Sequence, residues 1–414
     1  MHFTLVNLRR IEQRRYTARE PHEHENRMRL DDLSHLPSYG AVAAALLLAG
    51  CSSGPDDEGK TLGFAIIGWT TAVYETKYMD ECPEGLAIGN DEIWWTALDP
   101  EVRARLTNDG TIEPVTASRR AMAGVRGPNG EDVCWNPEVV KDPPLRTVQG
   151  PTSFGKDLDG DSTGNPTPKS CKHTNFVSPS GAPGVDNQLY RLMGCHYGWR
   201  RHGYVDSNAN GERRDTSHGI TLVEVSGVDD MRNDDDVRVA FYKKRDGDVL
   251  HKDHTGMILA NASYRIDLSG RYGATTRGRI ENGVLITDPV DVTLPFYGNL
   301  THQEFVLREM SIELPLEPQK DERNVRGMVV GYYDLDSFWS YMKQIEFLSV
   351  TGQFSCPGIY VAARELADGF PDPETGECTA LSSAFHVDAV PAFVIADDAT
   401  RLASLGKQTA RKHR

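Results

Sequence analysis

The stretch Val237-Arg238-Val239-Ala240-Phe241-Tyr242-Lys243 decides the fold class. Side chains of an extended chain alternate between two faces, so Val237, Val239 and Phe241 share one. Val290, Val292 and Leu294 repeat the pattern. So do Met310, Ile312 and Leu314, with Ser311 and Glu313 on the opposite side. A period of two marks strands buried on one face, as in antiparallel sheets. Turn signals separate them: Asp246-Gly247, Ser269-Gly270 and Asn282-Gly283. Residues 219–396 therefore predict a mainly β body, an antiparallel β-sandwich or jelly roll.

Downstream, two short helices interrupt the strands. Asp334 to Ile345 opens on Asp334 and Asp336 and carries Lys343 near its end, as the helix dipole favours. Ile359 to Leu366, before Gly369, reads as the second. Ala389 to Ile395 reads as the last strand, and Pro391 implies an edge. Residues 397–414 form a polar, basic tail.

Upstream, residues 61–75 give strand-like text in Phe64-Ala65-Ile66-Ile67 and Thr70-Thr71-Ala72-Val73-Tyr74. Asp99-Pro100-Glu101 opens a short helix that Asn108-Asp109-Gly110 ends. From 107 to 218 apolar periodicity nearly vanishes. So long an irregular stretch is functional or stapled. Residues 61–218 are thus expected to be a loop-rich, disulfide-stapled region against the 219–396 sandwich. Six cysteines, Cys82, Cys134, Cys171, Cys195, Cys356 and Cys378, can form three disulfides. Of the 15 pairings open to six cysteines, the sequential set Cys82–Cys134, Cys171–Cys195 and Cys356–Cys378 is the simplest. The chain has no Cys-x-x-Cys, which argues against zinc ribbons, thioredoxin-like sites and c-type haem.

The seventh cysteine, Cys51, ends a short apolar run, Gly40-Ala41-Val42-Ala43-Ala44-Ala45-Leu46-Leu47-Leu48-Ala49-Gly50. The run is too short to span a bilayer, which takes about 20 residues, but suits a signal peptide. Leu48-Ala49-Gly50-Cys51 resembles the lipobox of bacterial lipoproteins. The resemblance implies a diacylglyceryl thioether on Cys51, cleavage before it, and a membrane held through lipid. Residues 1–50 are then the signal peptide, with Met28 the expected initiator, and 51–60 a polar lipidated tether. Ser52, not Asp, follows the cysteine, which in Gram-negative lipoproteins implies the outer membrane.

The chain carries 60 acidic against 45 basic residues, net charge −15, which argues against nucleic acid and anionic lipid as ligands. Calcium is the leading chemistry. Asp157-Leu158-Asp159-Gly160-Asp161 and Asp206-Ser207-Asn208-Ala209-Asn210-Gly211 place side-chain oxygens at alternate positions about a glycine, as calcium loops do. Neither has the closing acid: Pro168 and Ser217 stand at the twelfth positions, and Asp215 is a substitute donor for the second. Affinity of the weak extracellular class, about 10⁻⁴–10⁻³ M, is expected. Acid-rich turns are the competing reading.

Asp186 and Asn187 are candidate sugar-binding or metal-completing groups, against a turn and helix cap. His251 and His254 could flank a metal, and Asp229, Asp230, Asp234, Asp235 and Asp236 a cation, though surface residues serve as well. Trp94, Trp95, Trp199 and Trp339 fit a sugar platform or the core. No nucleophile elbow, P-loop or dinucleotide fingerprint occurs. The expected function is a non-enzymatic envelope or surface lipoprotein, ligand-binding or structural, with an envelope protein or glycan as partner. The alternative is a hydrolase of envelope or extracellular polysaccharide. It needs two acids, with Asp186, Glu224 and Glu304 as possible members, at catalytic separation in a cleft.

Overall fold

The alternation at Val237–Phe241 lies within a strand that runs Asn233–Lys243, and its neighbours pair with it antiparallel on both sides. The computed structural model describes residues 59–86, 99–108, 127–141, 145–201, 203–320, 322–345 and 356–396. All fall in the unit Asp57–Arg414. The expected signal peptide, Cys51, most of the expected tether, Trp94, Trp95 and residues 397–414 lie outside the described residues.

The strands are β1 (Lys60–Thr71), β2 (Thr221–Val228), β3 (Asn233–Lys243), β4 (Ala262–Arg265), β5 (Ala274–Glu281), β6 (Val284–Thr287), β7 (Val290–Gly298), β8 (Thr301–Pro315), β9 (Val325–Asp334), β10 (Gly369–Pro371) and β11 (Cys378–Ile395). The helices are α1 (Pro100–Asn108), α2 (Gln188–Met193), α3 (Tyr204–Thr216), α4 (Leu335–Gln344) and α5 (Cys356–Glu365). The body is mainly β, as expected, with few and short helices. Its strands join one eleven-stranded sheet. The path β1-β2-β3-β5-β6-β8-β9-β11 closes on itself because β11 also pairs with β1. Every pairing around that ring is antiparallel. Closure removes the free edges an open sheet would present. β7 pairs with β8, β10 with β11, and β4 runs parallel to the end of β11.

Alternate residues fill the main core. Phe64, Ile66, Val223, Val225, Val239, Phe241, Leu307, Ile312, Val329, Phe385 and Val387 belong to one buried cluster. Burial of each such side chain is worth about 1.5–3 kcal/mol. The intervening residues Ala65, Ile67, Leu222, Ala240, Tyr242 and Val390 form a second cluster with Leu250, Ile258, Tyr264 and Ile266. The 249–266 segment thus covers the outer face of that wall. Asn282-Gly283 is a two-residue hairpin turn, both residues at positive φ (52° and 81°), as a type I′ turn requires.

Three expectations change. β1, from the segment expected to be loop-rich, hydrogen bonds between β2 and β11. Pro391 lies inside an 18-residue strand, not at an edge. It sits where β9 ends, at Ala389, and β4 begins, at Ala392, so the missing donor falls in a gap. The disulfides are Cys82–Cys195, Cys134–Cys356 and Cys171–Cys378. Sequence proximity favours short loops, but pairing follows which Cβ atoms the fold brings together. The sequence separations are 113, 222 and 207. By chain entropy each such loop, closed alone, is worth about 5 kcal/mol. Two of the three tie the irregular segment to α5 or β11.

Mapping of a non-reduced digest should recover those three linked peptide pairs. Recovery of Cys82–Cys134 or Cys356–Cys378 in folded protein would contradict this arrangement.

Candidate metal centre

The segment 145–200 has little regular structure, so its backbone must find other partners. Most come from within the segment itself, as between Phe176 and Val185, while its apolar side chains meet the outer face of the β9–β11 wall. Ala72, Val330 and Ala384 pack there with Phe154, Leu158 and Met328. Ser382, fully buried on β11, accepts a hydrogen bond from the Gln188 amide at 2.9 Å.

Asp186 is the hub of this interface, with no exposed surface. Its Oδ2 accepts from the Leu158 amide at 2.7 Å, and its Oδ1 lies 2.9 Å from His173 Nε2. His173 Nδ1 lies 2.8 Å from the Cys171 carbonyl. Asp368, 1 % exposed, precedes β10. Its Oδ1 accepts from the Ser382 amide at 2.7 Å, whereas its Oδ2 is buried without a hydrogen-bond partner. His173, Asp186 and Asp368 each offer a ligand atom within 4.8 Å of the others. Asp157, Asp159 and Asp186 form a second such group. The two groups share Asp186, and only Asp157 is exposed.

Glycines permit the close approach of these loops. At Gly164, φ +72°, a Cβ would fall 2.3 Å from the His173 carbonyl oxygen. At Gly184, φ +81°, it would meet Ser162 and the Asp157 carboxylate at 3.1–3.2 Å.

The electrostatics follow from this crowding. Burial pushes Asp368 up to about 7, only partly offset by its hydrogen bonds from Ser382. Burial opposes the charged form of His173. The hydrogen bonds to Asp186 and Cys171 and the nearby carboxylates outweigh it and lift His173 to about 9. Asp157 is raised by burial, despite its hydrogen bond from Gly160, with repulsion from Asp186, Asp159 and Asp161 adding to the effect.

The structure therefore joins two separate sequence candidates, the first acidic loop and Asp186. Asp161 turns away: it accepts from Thr163 Oγ1 at 2.6 Å and from the Asn165 amide at 3.0 Å. Asn187 caps α2, accepting from the Tyr190 amide, while its Nδ2 donates to Ser153 Oγ and the Phe154 carbonyl. That is the cap reading, not a ligand site. Neither Asp368 nor His173 stands out in the sequence. No spacing rule links 173, 186 and 368.

The expected second calcium loop is the helix α3. Asp206 and Asn210 stand one turn apart on one side, and Asn208 is exposed. β1 loses β2 as a partner after Ile66–Thr221. Beyond that point α3 stands in for a strand. Asn210 Oδ1 accepts from the Trp69 amide and its Nδ2 donates to the Trp69 carbonyl, both at 2.9 Å. Asp206 Oδ2 accepts from the Thr71 amide at 2.7 Å. The rise of one helical turn, about 5.4 Å, roughly matches two strand residues, about 6.6 Å. An i, i+4 pair therefore meets an i, i+2 pair.

Other candidates have ordinary structural roles. Glu304 pairs with Arg271, and Glu224 is buried in β2. Asp234 accepts from the Asp229 and Asp236 amides, and Asp236 pairs with Arg277. Among the described residues, neither His251 nor His254 belongs to a group of three potential metal ligands. Trp199 is core, and Trp339 packs edge-on against Tyr360. An open cleft is lined by Lys169, Arg308, Asp334, Phe370, Asp372 and Glu377. Arg308 pairs with Asp334 and lies 5.0 Å over the ring of Phe370. Phe370 holds φ +58°, costly for an aromatic residue.

No protein-family model, no curated protein and no solved structure matches this chain. Among the described residues no helix is long and apolar enough to cross a membrane.

Burial raises Asp206 to about 6 despite the Thr71 hydrogen bonds and the Arg213 charge. A carboxyl raised on folding binds its proton more tightly in the folded state. Its contribution is then present below the unfolded value, near 4, and is lost as pH rises through 6. The shift of about two units corresponds to about 3 kcal/mol. Asn at 206 keeps an acceptor for Thr71 and removes the charge. Urea unfolding should therefore show Asp206→Asn gaining on the wild type between pH 4 and 7. A constant difference across that range would contradict the burial of a charge here.

Proposed function

We propose that this chain is a lipid-anchored envelope protein, non-enzymatic, with calcium bound in the Asp186-centred cluster. Lipid on Cys51 holds it to a membrane, the outer membrane by the Ser52 criterion. The folded body presents a ligand-binding or structural surface to an envelope protein or glycan. The observation that carries this reading is the placement of the clustered acids. Asp186 is buried between the irregular segment and the β9–β11 wall, where a cation joins elements but a polymer substrate has no access. Asp157, exposed, and Asp159, half-buried, stand beside it and complete an all-oxygen set of the kind a hard cation prefers. The hydrolase alternative draws on the open cleft. Two of its acids are already engaged: Asp334 with Arg308, and Asp372 with the Glu374 and Thr375 amides.

Thermal melts of the full chain in detergent, in millimolar calcium and in chelator, test the cation. Free calcium at 100 times the dissociation constant adds about 2.7 kcal/mol, a shift of a few degrees. Asp159→Ala should abolish the shift and Asn208→Ala should leave it intact. Identical melts in both buffers would remove calcium from the proposal. The anchor is tested separately. Labelled palmitate should enter the wild type and not Cys51→Ser, and label retained in Cys51→Ser would overturn the lipid assignment.

A further inference from the structure

The two ligand groups that share Asp186 differ in chemistry. Asp157, Asp159 and Asp186 offer only oxygen. His173, Asp186 and Asp368 offer one imidazole and two carboxylates, and they are almost wholly buried. We propose that His173, Asp186 and Asp368 form a separate structural site for a first-row divalent transition metal of the Zn²⁺ type. This goes beyond the calcium reading, since it needs neither Asp157 nor Asp159.

Three observations carry it. The first is the orphan oxygen. Asp368 Oδ2 is buried with no partner, although its own Oδ1 is fixed by the Ser382 amide. A buried carboxyl oxygen without a partner is unfavourable, and a metal supplies the missing partner. The second is the arrangement of the imidazole. His173 Nδ1 is anchored on the Cys171 carbonyl at 2.8 Å. Metal-bound histidines carry such a second bond, which fixes the ring and turns the Nε2 lone pair toward the ion. The third is spacing. His173 Nε2 and Asp186 Oδ1 are 2.9 Å apart. Adjacent ligands on a metal with bonds of about 2.0–2.1 Å stand about 2.9–3.4 Å apart in octahedral or tetrahedral geometry. On binding, His173 gives up its Nε2 proton to solvent, a protonated Asp368 does the same, and Asp186 exchanges the imidazole contact for the metal.

The mixed donor set favours zinc over calcium, which prefers oxygen alone. The site is also tightly braced. The Cys171 amide donates to the Asp368 carbonyl at 2.8 Å, and Cys171 is bonded to Cys378. A metal here would clamp Asp368 directly ahead of Gly369-Phe370-Pro371, and so hold the strained Phe370 at the edge of the cleft.

The test uses the full, untagged chain in detergent, stripped with chelator and dialysed against Zn²⁺, then against millimolar Ca²⁺ without zinc. Elemental analysis should find one zinc per chain that calcium does not displace. Asp368→Asn should weaken zinc at least tenfold and leave the calcium-dependent melting shift in place. Co²⁺ loaded into the wild type should give visible d–d bands that zinc abolishes. That spectrum decides the matter even if Asp368→Asn does not fold. Absence of stoichiometric zinc, its displacement by calcium, or unchanged affinity in folded Asp368→Asn would overturn the site. A calcium shift without zinc binding sinks this site alone, and zinc binding without a calcium shift sinks only the calcium reading.

Discussion

The pairing of β1 with β11 is the constraint on which the rest of the structure depends. It joins the first described strand to the last and turns an open sheet into a ring. Such a contact is entropically expensive, because the strands lie about 300 residues apart and most of the chain must be ordered between them. What stabilises it is the core on its inner side, where Phe64 and Ile66 meet Phe385, Val387 and Ala389 in one cluster. The register shifts between Ile66 and Gly68, and just there β2 leaves β1. Without α3, the Trp69 and Thr71 amides would face no acceptor on that side. Asn210 and Asp206 supply the missing acceptors from a helix. That accounts for a buried and a half-buried polar side chain next to an apolar core.

The same accounting explains the irregular segment. Strands and helices satisfy their own backbone, while loops do not. Between residues 145 and 200 some of the partners are side chains that would otherwise look functional: Asn187 on the Phe154 carbonyl, Asp186 on the Leu158 amide, and Ser382 on the Gln188 amide. Burial of such groups is tolerable only when each is paired. Asn187 meets that condition in full. Asp368 does not, and this distinguishes a cap from a binding site where burial alone would not.

Much of the β body was legible in the sequence because alternation is a local signal. Val237–Phe241, Val290–Leu294 and Met310–Leu314 all lie in strands, and Asn282-Gly283 turns where it should. The Asp334 cap was equally readable, since it bonds the Ser337 amide three residues on. Legibility fails where the deciding contact is distant. Cys171 finds Cys378 and His173 finds Asp368 across about 200 residues. The sequence supplies each member but no rule that joins them. Asp206-x-Asn208-x-Asn210 failed for a different reason. Alternate oxygens suit a calcium loop, but positions four apart also share a helix side. The neighbouring Asn210-Gly211 pair favoured the wrong choice, because a glycine inside a helix carries no mark of it.

The staples and the polar cluster act on the same weakness. A chain segment with few apolar contacts of its own opens locally at low free-energy cost. Cys82–Cys195 ties it to the loop after β1, whereas Cys134–Cys356 and Cys171–Cys378 tie it to α5 and the wall. Disulfides limit how far such a segment can depart, but they do not position side chains to a fraction of an ångström. The Asp186 hub does, since its partners come from two separate stretches, at Lys156–Leu158 and at His173, and each contact is short and directional. Arg200 on Glu81, buried at 2.5 Å beside Cys82, does the same at the other end of the segment. Covalent links and buried polar pairs are therefore complementary here. The first reduce the entropy of the open state, and the second select one packing of the segment against the wall.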